Sequence, residues 1–376
     1  MKKGFFLIFT LIYFQVFSQE NYDVKLAKLD EIGYAIDSTL FNGDNKYFDK
    51  IYDIKLLTDR FFIKTNDKEL LKFNLGFYKG FSSSFTFGKE MLKQISTGSE
   101  YTFLRSYKEG ENYFLLFRLY GDSGLNYHKH LVEFINGEPK ISDTYIYLSG
   151  EYFSETIKFI YDGAVRNRNL LRRILNRSEN ADFEKIELFK IYKDQNEFKK
   201  VIELYESLSD KSKKRKIFMI YSLLASKNLE DSIYMKYIKS YEKEYPNDPS
   251  LYLISMDGFI IKEQYDKAIL TLDKLDKSIG GDEFLDYFRG NCYYLKKDFV
   301  KAAEYFEKLM INYPNFFDGI DSLLTVYVES KENEKAIHIL DVFTEKFELE
   351  KESLKELVKI NFPEFTKTKE YKNWSK

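Results

Sequence analysis

The sequence predicts an N-terminal α+β domain, with helices packed on a curved four-stranded antiparallel sheet, followed by an all-α superhelical solenoid of helix pairs. Three observations support this prediction. The first half of the chain changes from helical to strand-like patterns, and an Asn-Gly turn separates two of those strands. The second half repeats with a period of 34 residues.

Residues 1–18 have the layout of a secretory signal peptide. Lys2 and Lys3 precede an apolar stretch that is shorter than the roughly 20 residues a membrane-spanning helix needs, and cleavage is expected after Ser18. Gln19 stands where a lipoprotein would carry a cysteine. We therefore expect an exported protein, periplasmic or secreted, that is not a lipoprotein and has no transmembrane segment after signal removal.

The overall composition and length limit the classes of protein to which this chain could belong. The net charge of −2 at pH 7 argues against a nucleic-acid binder, which would show a strongly basic domain. A length of 376 residues exceeds one typical domain, so two are expected. Because Cys292 is the only cysteine, no intramolecular disulfide can form, and packing of the 35 Phe and 31 Tyr side chains must supply stability.

Residues 20–165 are predicted to form the α+β domain. Helical patterns span about residues 22–42, 45–63 and 67–97. Strand patterns then follow at residues 101–108, 112–120, 126–135 and 138–148. Helices followed by an antiparallel meander resemble the curved-sheet folds of the nuclear-transport-factor and cystatin kinds, and that resemblance implies a sheet wrapped by helices.

The Asn-Gly turn sets the register of the last two predicted strands. If the turn is a two-residue loop, Ile135 pairs with Glu138 and four polar side chains come to share one face of the sheet. These candidate pocket residues are His128, His130, Asp143 and Tyr145.

In this register His130 lies opposite Asp143, which allows two interpretations. One is a pocket with a His-Asp dyad that binds or converts a small ligand. The other is an ordinary polar pair across two strands. The second is favoured because zinc needs three or four close ligands and no third ligand is visible, so no catalytic residue, metal or cofactor is assigned.

Four columns of residues recur at the 34-residue spacing in the second half of the chain. They are Ala268, Ala302 and Ala336; Phe259, Tyr293 and Tyr327; Leu272, Phe306 and Leu340; and Pro246, Gly280 and Pro314. Each unit contains two amphipathic stretches, such as residues 282–296 and 298–312, and Pro314 ends the second because proline cannot continue a helix.

This pattern resembles the tetratricopeptide repeat. The matching signature positions are Ala268, Gly290, Tyr293, Ala302, Phe306, Pro314 and Ala336. Asp286 departs from the pattern, because it stands where the family has a tryptophan-like residue. The resemblance implies about five helix pairs over residues 181–347, and residues 348–376 are expected to form a capping helix and tail.

Stacked helix pairs of this kind form a concave surface, and the resemblance implies that the first helix of each pair lines it. The groove residues carried over to this chain are Asp257, Tyr287, Asn291, Tyr294, Asp321 and Thr325. A protein or peptide partner that offers apolar and donor groups fits this set. Plain surface exposure or packing between repeats is the alternative role of these residues.

Two basic stretches lie outside these motifs. Residues 166–180 are predicted to form a basic linker helix, and residues 211–216 precede the second repeat. Peripheral contact with an anionic surface is one interpretation of such runs, and a solvated helix face is the favoured one.

The predicted function is an exported, non-catalytic scaffold for protein–protein interaction. One alternative is ligand binding or hydrolysis in the N-terminal domain around His128, His130 and Asp143. Another is a surface glycan-binding component, because the repeats also resemble those of carbohydrate-binding lipoproteins. The missing lipid-site cysteine counts against that last alternative.

Overall fold

A computed structural model describes residues 24–121, 124–168, 182, 185–246 and 248–376. The predicted signal peptide lies outside these residues, as does most of the predicted linker helix. The chain divides into two compact units, one ending at Leu253 and the other beginning at Ile254.

Within the described residues, the N-terminal helices are five rather than the three that the sequence patterns predict. They are α1 (24–41), α2 (Lys46–Ile51), α3 (Ile54–Asp59), α4 (Lys68–Ser84) and α5 (Phe87–Ser96). Capping side chains explain the two additional boundaries. Asp53 accepts the backbone N–H groups that open α3, and Thr86 accepts one that opens α5, so a new helix begins at each position.

The sheet has five antiparallel strands in sequential order, so the prediction of four was one short. The strands are β1 (Glu100–Glu109), β2 (Asn112–Gly121), β3 (Gly124–Ile135), β4 (Glu138–Ile146) and β5 (Glu151–Tyr152). The fifth strand has only two residues, too few for a periodic pattern to reveal it. The predicted turn is confirmed: Asn136 and Gly137 both have positive φ, and Ile135 pairs with Glu138.

The core of this domain lies between the helices and one face of the sheet. Phe48 of α2 and Phe117 of β2 are fully buried there, with ring centroids 6.4 Å apart. Helix α6 (Phe153–Arg168) follows β5 directly and adds Ile157 and Tyr161 to the same core. Aromatic side chains therefore supply much of the buried surface, as the composition predicts.

Among its described residues, the first unit continues with five further helices. They are α7 (Ile186–Asp194), α8 (Phe198–Glu206), α9 (Asp210–Lys213), α10 (Lys216–Ser226) and α11 (Asp231–Glu244). Phe189 of α7 and Phe218 of α10 are fully buried against each other, with ring centroids 5.4 Å apart.

The remaining helices run from the unit boundary to the C-terminus. They are α12 (Leu251–Ile261), α13 (Tyr265–Ile279), α14 (Leu285–Leu295), α15 (Phe299–Asn312), α16 (Phe317–Glu329), α17 (Asn333–Glu345), α18 (Lys351–Asn361) and α19 (Lys369–Trp374), with a 3₁₀ turn at Phe365–Lys367.

The turns inside three helix pairs of this part share one backbone geometry at 34-residue spacing. Glu263, Lys297 and Lys331 have φ of 58°, 64° and 64°. In each turn the following amide donates to the carbonyl five residues earlier, over 2.8 to 3.0 Å. This is a Schellman motif, which satisfies carbonyls at a helix end. The accepting residues are Phe259, Tyr293 and Tyr327, so this sequence column marks the helix ends.

The alanine column marks the places where paired helices pack closely. Ala268, Ala302 and Ala336 are all fully buried. On α14, a Cβ added to Gly290 would lie 2.6 Å from the ring of Phe306, which belongs to the same helix α15 as Ala302. Small residues are therefore required on both helices of this pair.

We expect Gly290→Ala to destabilise the second unit by about 1–3 kcal/mol, because the new methyl group would force the Phe306 ring out of its position. Gly76→Ala on α4 is the matched control, since nothing lies within 4 Å of its added Cβ. That change should stabilise its helix by about 0.5–1 kcal/mol. Hydrogen exchange of amides in each unit would measure both effects, and equal protection in wild type and Gly290→Ala would contradict the close packing.

The C-terminal tail packs on the helices that precede it. Phe365 and Tyr371 are buried, and the Trp374 indole N–H donates to Asp341 of α17 over 2.8 Å. Helix α18, predicted as a cap, also buries Leu354 and Val358. The last residues thus extend the apolar core of the second unit.

Candidate functional site

The four polar residues predicted to share a sheet face are divided between its two faces. A β-bulge in β4 adds one residue between the Val132/Ile141 and Leu131/Asp143 pairs. His130 therefore lies opposite Thr144, and Asp143 lies opposite Leu131. The prediction of a His130–Asp143 pair was wrong by one position, because a single extra residue moves all later side chains to the other face.

The two histidines belong to a buried chain of hydrogen bonds. The side-chain oxygen Oδ1 of Asn126 accepts hydrogen bonds from the backbone N–H groups of Tyr127 and Leu148. These bonds fix the orientation of the side-chain amide. The amide nitrogen then donates to His128 Nε2 over 3.3 Å. Because Nε2 accepts, His128 carries its proton on Nδ1 and donates it to the Tyr101 hydroxyl over 3.2 Å.

The same reasoning assigns the second imidazole. The Tyr101 hydroxyl accepts from His128 and donates to His130 Nε2 over 2.7 Å. His130 Nδ1 then donates to Thr144 Oγ1 over 2.8 Å, and the Thr144 hydroxyl contacts the Tyr52 hydroxyl at 3.1 Å. Each ring nitrogen of His128 and His130 thus has one hydrogen-bond partner. Because Nε2 accepts and Nδ1 donates in both rings, both imidazoles are neutral and held in one tautomer.

Burial of these imidazoles is nearly complete. His130 is 0% exposed and His128 is 3% exposed. The Phe87 ring centroid lies 5.4 Å from that of His128 and 5.3 Å from that of His130. Burial lowers the pKa of His128 to about 3, and burial together with His128 lowers the pKa of His130 well below its usual value. These side chains belong to the packed core and do not open to solvent.

Asp143 and Tyr145 have different surroundings from the histidines. Asp143 accepts hydrogen bonds from the Ser154 hydroxyl at 2.6 Å and from the Ser154 backbone N–H at 3.1 Å. Burial raises the pKa of Asp143, and these bonds act in the opposite direction. The Tyr145 ring contacts those of Tyr147 and Tyr152. Asp143 thus ties β4 to the start of α6, without contact to an imidazole.

The predicted groove residues lie on the first helices of three pairs, and they differ in exposure and in the contacts that their side chains make. Tyr287 packs edge-on against Phe316 at 5.0 Å, and the Asn291 amide donates to the Tyr287 carbonyl. The Tyr294 hydroxyl donates to Glu329 over 2.6 Å. These three side chains are therefore partly committed to packing.

The other three members of this set differ in exposure. Asp321 is exposed, while Asp257 and Thr325 are half-buried. Asp257, Asn291 and Thr325 lie 34 residues apart and occupy equivalent places on α12, α14 and α16. One column of half-buried polar side chains thus recurs on successive first helices.

Asp286, the departure from the repeat pattern, belongs to a buried ion-pair cluster. Arg289 donates to Asp286 at 2.8 Å and to Asp276 at 2.8 Å, and it lies 3.1 Å from Asp273. Lys308 of α15 pairs with the other oxygen of Asp286 at 2.7 Å. Arg289 is not part of the repeat pattern, although an i,i+3 Asp-Arg pair on an amphipathic helix is a visible signal in the sequence.

An apolar cleft of about 410 Å³ lies between α15, α16 and α17. Met310, Leu323 and Ile339 line it, and exposed His338 stands beside it. The Tyr327 hydroxyl donates to Glu307 at its rim. None of the predicted groove residues lines this cleft, which the repeat pattern did not reveal.

A polar cleft of about 420 Å³ lies in the first unit, where the start of α6 meets the start of α10 and the residue after α11. Two basic residues, Arg215 and Lys216, and two acidic residues, Glu151 and Glu155, are among those that line it. Sequence reasoning missed this site because its charged residues are far apart in the chain. Only the basic stretch at 211–216 gave a signal.

Most of that basic stretch is paired within the first unit. Lys213 pairs with Glu206 at 3.4 Å, and Lys214 pairs with Glu244 at 3.3 Å. Lys216 pairs with buried Asp248. The charges of these three lysines are therefore balanced by carboxylates of the same unit.

Two further properties concern the part of the chain that the structure describes. Within it, no group of three or more His, Cys, Asp or Glu side chains is arranged to hold a metal ion. None of its helices is long and apolar enough to cross a membrane.

Comparison of the chain with protein-family models, with curated proteins and with solved structures finds no match in any of the three.

Proposed function

We propose that this chain is a non-catalytic scaffold that binds a protein or peptide partner on the first helices of its C-terminal helix pairs. The observation that carries the proposal is the recurrence of one helix-pair geometry at 34-residue spacing. Identical Schellman turns and buried alanines recur at that spacing. Repeats of this kind stack on their neighbours and offer an extended surface, because no single pair buries its apolar face alone.

The column formed by Asp257, Asn291 and Thr325 supports this surface as the binding face. Equivalent positions on stacked repeats lie in a row, so an extended partner meets one polar side chain per repeat. Exposed Asp321 follows Tyr287 at the same spacing and adds a second row. In this proposal the rows give specificity, and half-buried tyrosines such as Tyr287 provide apolar contact.

Export belongs to the proposal as well. It rests on the signal-peptide layout of residues 1–18, and the partner would then be periplasmic or extracellular. Processing after Ser18 would be visible in the mass of the secreted or periplasmic protein.

Catalysis by the N-terminal domain has weaker support. The ring nitrogens of His128 and His130 are occupied by neighbours, and neither imidazole reaches Asp143. A general base must reach a substrate proton within hydrogen-bond distance. The scaffold is therefore the function that the arrangement of these residues supports best.

Site-specific photo-crosslinking in the producing cell tests the scaffold. We expect a p-benzoylphenylalanine residue in place of Asp321 to yield one discrete crosslinked species, because Asp321 is exposed on a first helix. Glu304 on α15 is the matched control, since it is also acidic and exposed but lies on a second helix.

Gel mobility and mass spectrometry of the crosslinked species measure this result. A crosslink from position 304 of equal yield, or none from position 321, would count against binding by the first helices.

A further inference from the structure

The polar cleft of the first unit contains one cation that its neighbours neutralise. The Lys216 ammonium donates to the Gly150 carbonyl over 2.8 Å and pairs with Asp248. It also lies 5.3 Å from the centroid of the Tyr245 ring. Lys216 thus forms a wall of the cleft, and its charge is already balanced.

Arg215, next to it, is held in place without being neutralised. Its guanidinium stacks 4.3 Å from the centroid of the Phe159 ring, and the residue is half-buried. Among the described residues its N–H groups have no hydrogen-bond or ion-pair partner. A planar guanidinium in a fixed orientation offers a fork of donors that matches a carboxylate.

Two carboxylates also line this cleft. Glu151 accepts a hydrogen bond from the Thr156 hydroxyl at 2.5 Å, and Glu155 accepts the Tyr152 backbone N–H at 2.9 Å. Each of these bonds occupies one carboxylate oxygen. Burial raises the pKa of Glu151, while the Thr156 hydroxyl and Lys216 act in the opposite direction, and a further cationic group beside Glu151 would favour its ionised form.

We propose that this cleft binds a small zwitterion, a free α-amino acid or a short peptide, with its carboxylate on Arg215 and its ammonium on Glu151 or Glu155. The charges of the lining residues decide between ligand classes. A simple anion would meet two carboxylates, and a simple cation would meet the guanidinium of Arg215. A dipolar ligand matches both kinds of charge, and about 420 Å³ lies within the range of small-molecule sites. This site is independent of the scaffold surface on the second unit.

Isothermal titration calorimetry with the full mature chain tests the proposal. The probes are the standard amino acids and alanyl-alanine, with acetate, inorganic phosphate and ethylamine as single-charge controls. We expect at least one zwitterion to bind in the millimolar range or tighter, and each single-charge control to bind at least about tenfold more weakly. N-acetylation or amidation of the bound amino acid should weaken binding by about the same factor.

Variants connect any binding to the cleft. Arg215→Met keeps an apolar side chain on Phe159 and removes the donors, so we expect about a tenfold or greater loss of affinity. Lys214→Met is the matched control, because Lys214 pairs with Glu244 and does not line the cleft; it should leave affinity unchanged. If Arg215→Met does not fold, Glu151→Gln provides the same test from the ammonium side.

Each remaining outcome is decisive. Tight binding by alanyl-alanine but not by free amino acids would identify a peptide as the ligand. Binding of acetate or phosphate as tight as that of the zwitterion would overturn the proposal, as would binding that survives both Arg215→Met and Glu151→Gln. The absence of heat with every zwitterion would overturn it as well.

Discussion

Replacement of Arg289 by leucine should destabilise the second unit by about 3 kcal/mol. Arg289 is 7% exposed and joins Asp286 of its own helix to Asp273 and Asp276 of α13. Leucine would leave the buried carboxylate of Asp286 with Lys308 as its remaining partner. Removing one member of a buried ion pair costs about 3–5 kcal/mol, and the remaining lysine places the expected value at the lower end.

Hydrogen exchange of the α14 and α15 amides would measure this loss directly. Lys335→Met is the matched control, because Lys335 is half exposed and pairs with Glu332 at the surface of α17. An exposed pair contributes about 0–1 kcal/mol, so this variant should retain nearly wild-type protection. If Arg289→Leu were as stable as Lys335→Met, the buried cluster would contribute no more than a surface pair.

Acidification should destabilise the first unit through its two buried histidines. The unfolded chain binds a proton on each imidazole as the pH falls below the usual pKa of 6.5, whereas folded His128 stays neutral until about pH 3. The unfolded state therefore binds more protons in this window, and stability is lost as the pH falls from 6.5. Between pH 7 and pH 5 each imidazole should lower the free energy of unfolding of the first unit by on the order of 2 kcal/mol.

Urea denaturation at the two pH values, followed by hydrogen exchange of the β3 amides, would measure this effect. His128→Gln should reduce the loss of stability on acidification by about half of the histidine contribution, whatever its own effect at pH 7. Asp143 acts with the opposite sign, because burial raises its pKa and its contribution is lost as the pH rises. Comparing wild type with the variant removes that contribution.

His338→Gln is the control for this experiment. His338 is exposed and lies in the second unit, so the first unit should keep its wild-type pH dependence. An identical acid sensitivity in wild type and His128→Gln would show that the imidazoles are not held neutral in the folded core.

Local sequence patterns predicted the antiparallel meander and its Asn-Gly turn, but they did not predict the β3–β4 register beyond the bulge. The Asn136-Gly137 turn was identified correctly because two successive positive φ values suit few other dipeptides. The bulge in β4 was not identified, because a bulge depends on the contacts of neighbouring strands and helices. Since side-chain direction alternates along a strand, this one missed residue separated Asp143 from the histidines and changed the candidate pocket into a core network.

In the second unit, too, features set by nearby residues were predictable and contacts between distant residues were not. The 34-residue columns predicted where helices end and where small residues are required, because those constraints repeat in every unit. The full ion-pair cluster could not be predicted, since Asp276 reaches Arg289 and Lys308 reaches Asp286 from neighbouring helices. The same holds for the polar cleft, in which Glu151 and Arg215 are 64 residues apart in sequence.

The sequence by itself determined the order of the elements, the Asn-Gly hairpin and the helix-pair period, because turn chemistry and amphipathic spacing act between residues that are close in the chain. Tertiary structure decided which polar groups meet. It enclosed His128 and His130 in a neutral hydrogen-bonded network, gathered three aspartates around Arg289 and brought Arg215 and two glutamates into the lining of one cleft. Burial and distance set the energy of a charge, and both depend on residues that only folding brings together.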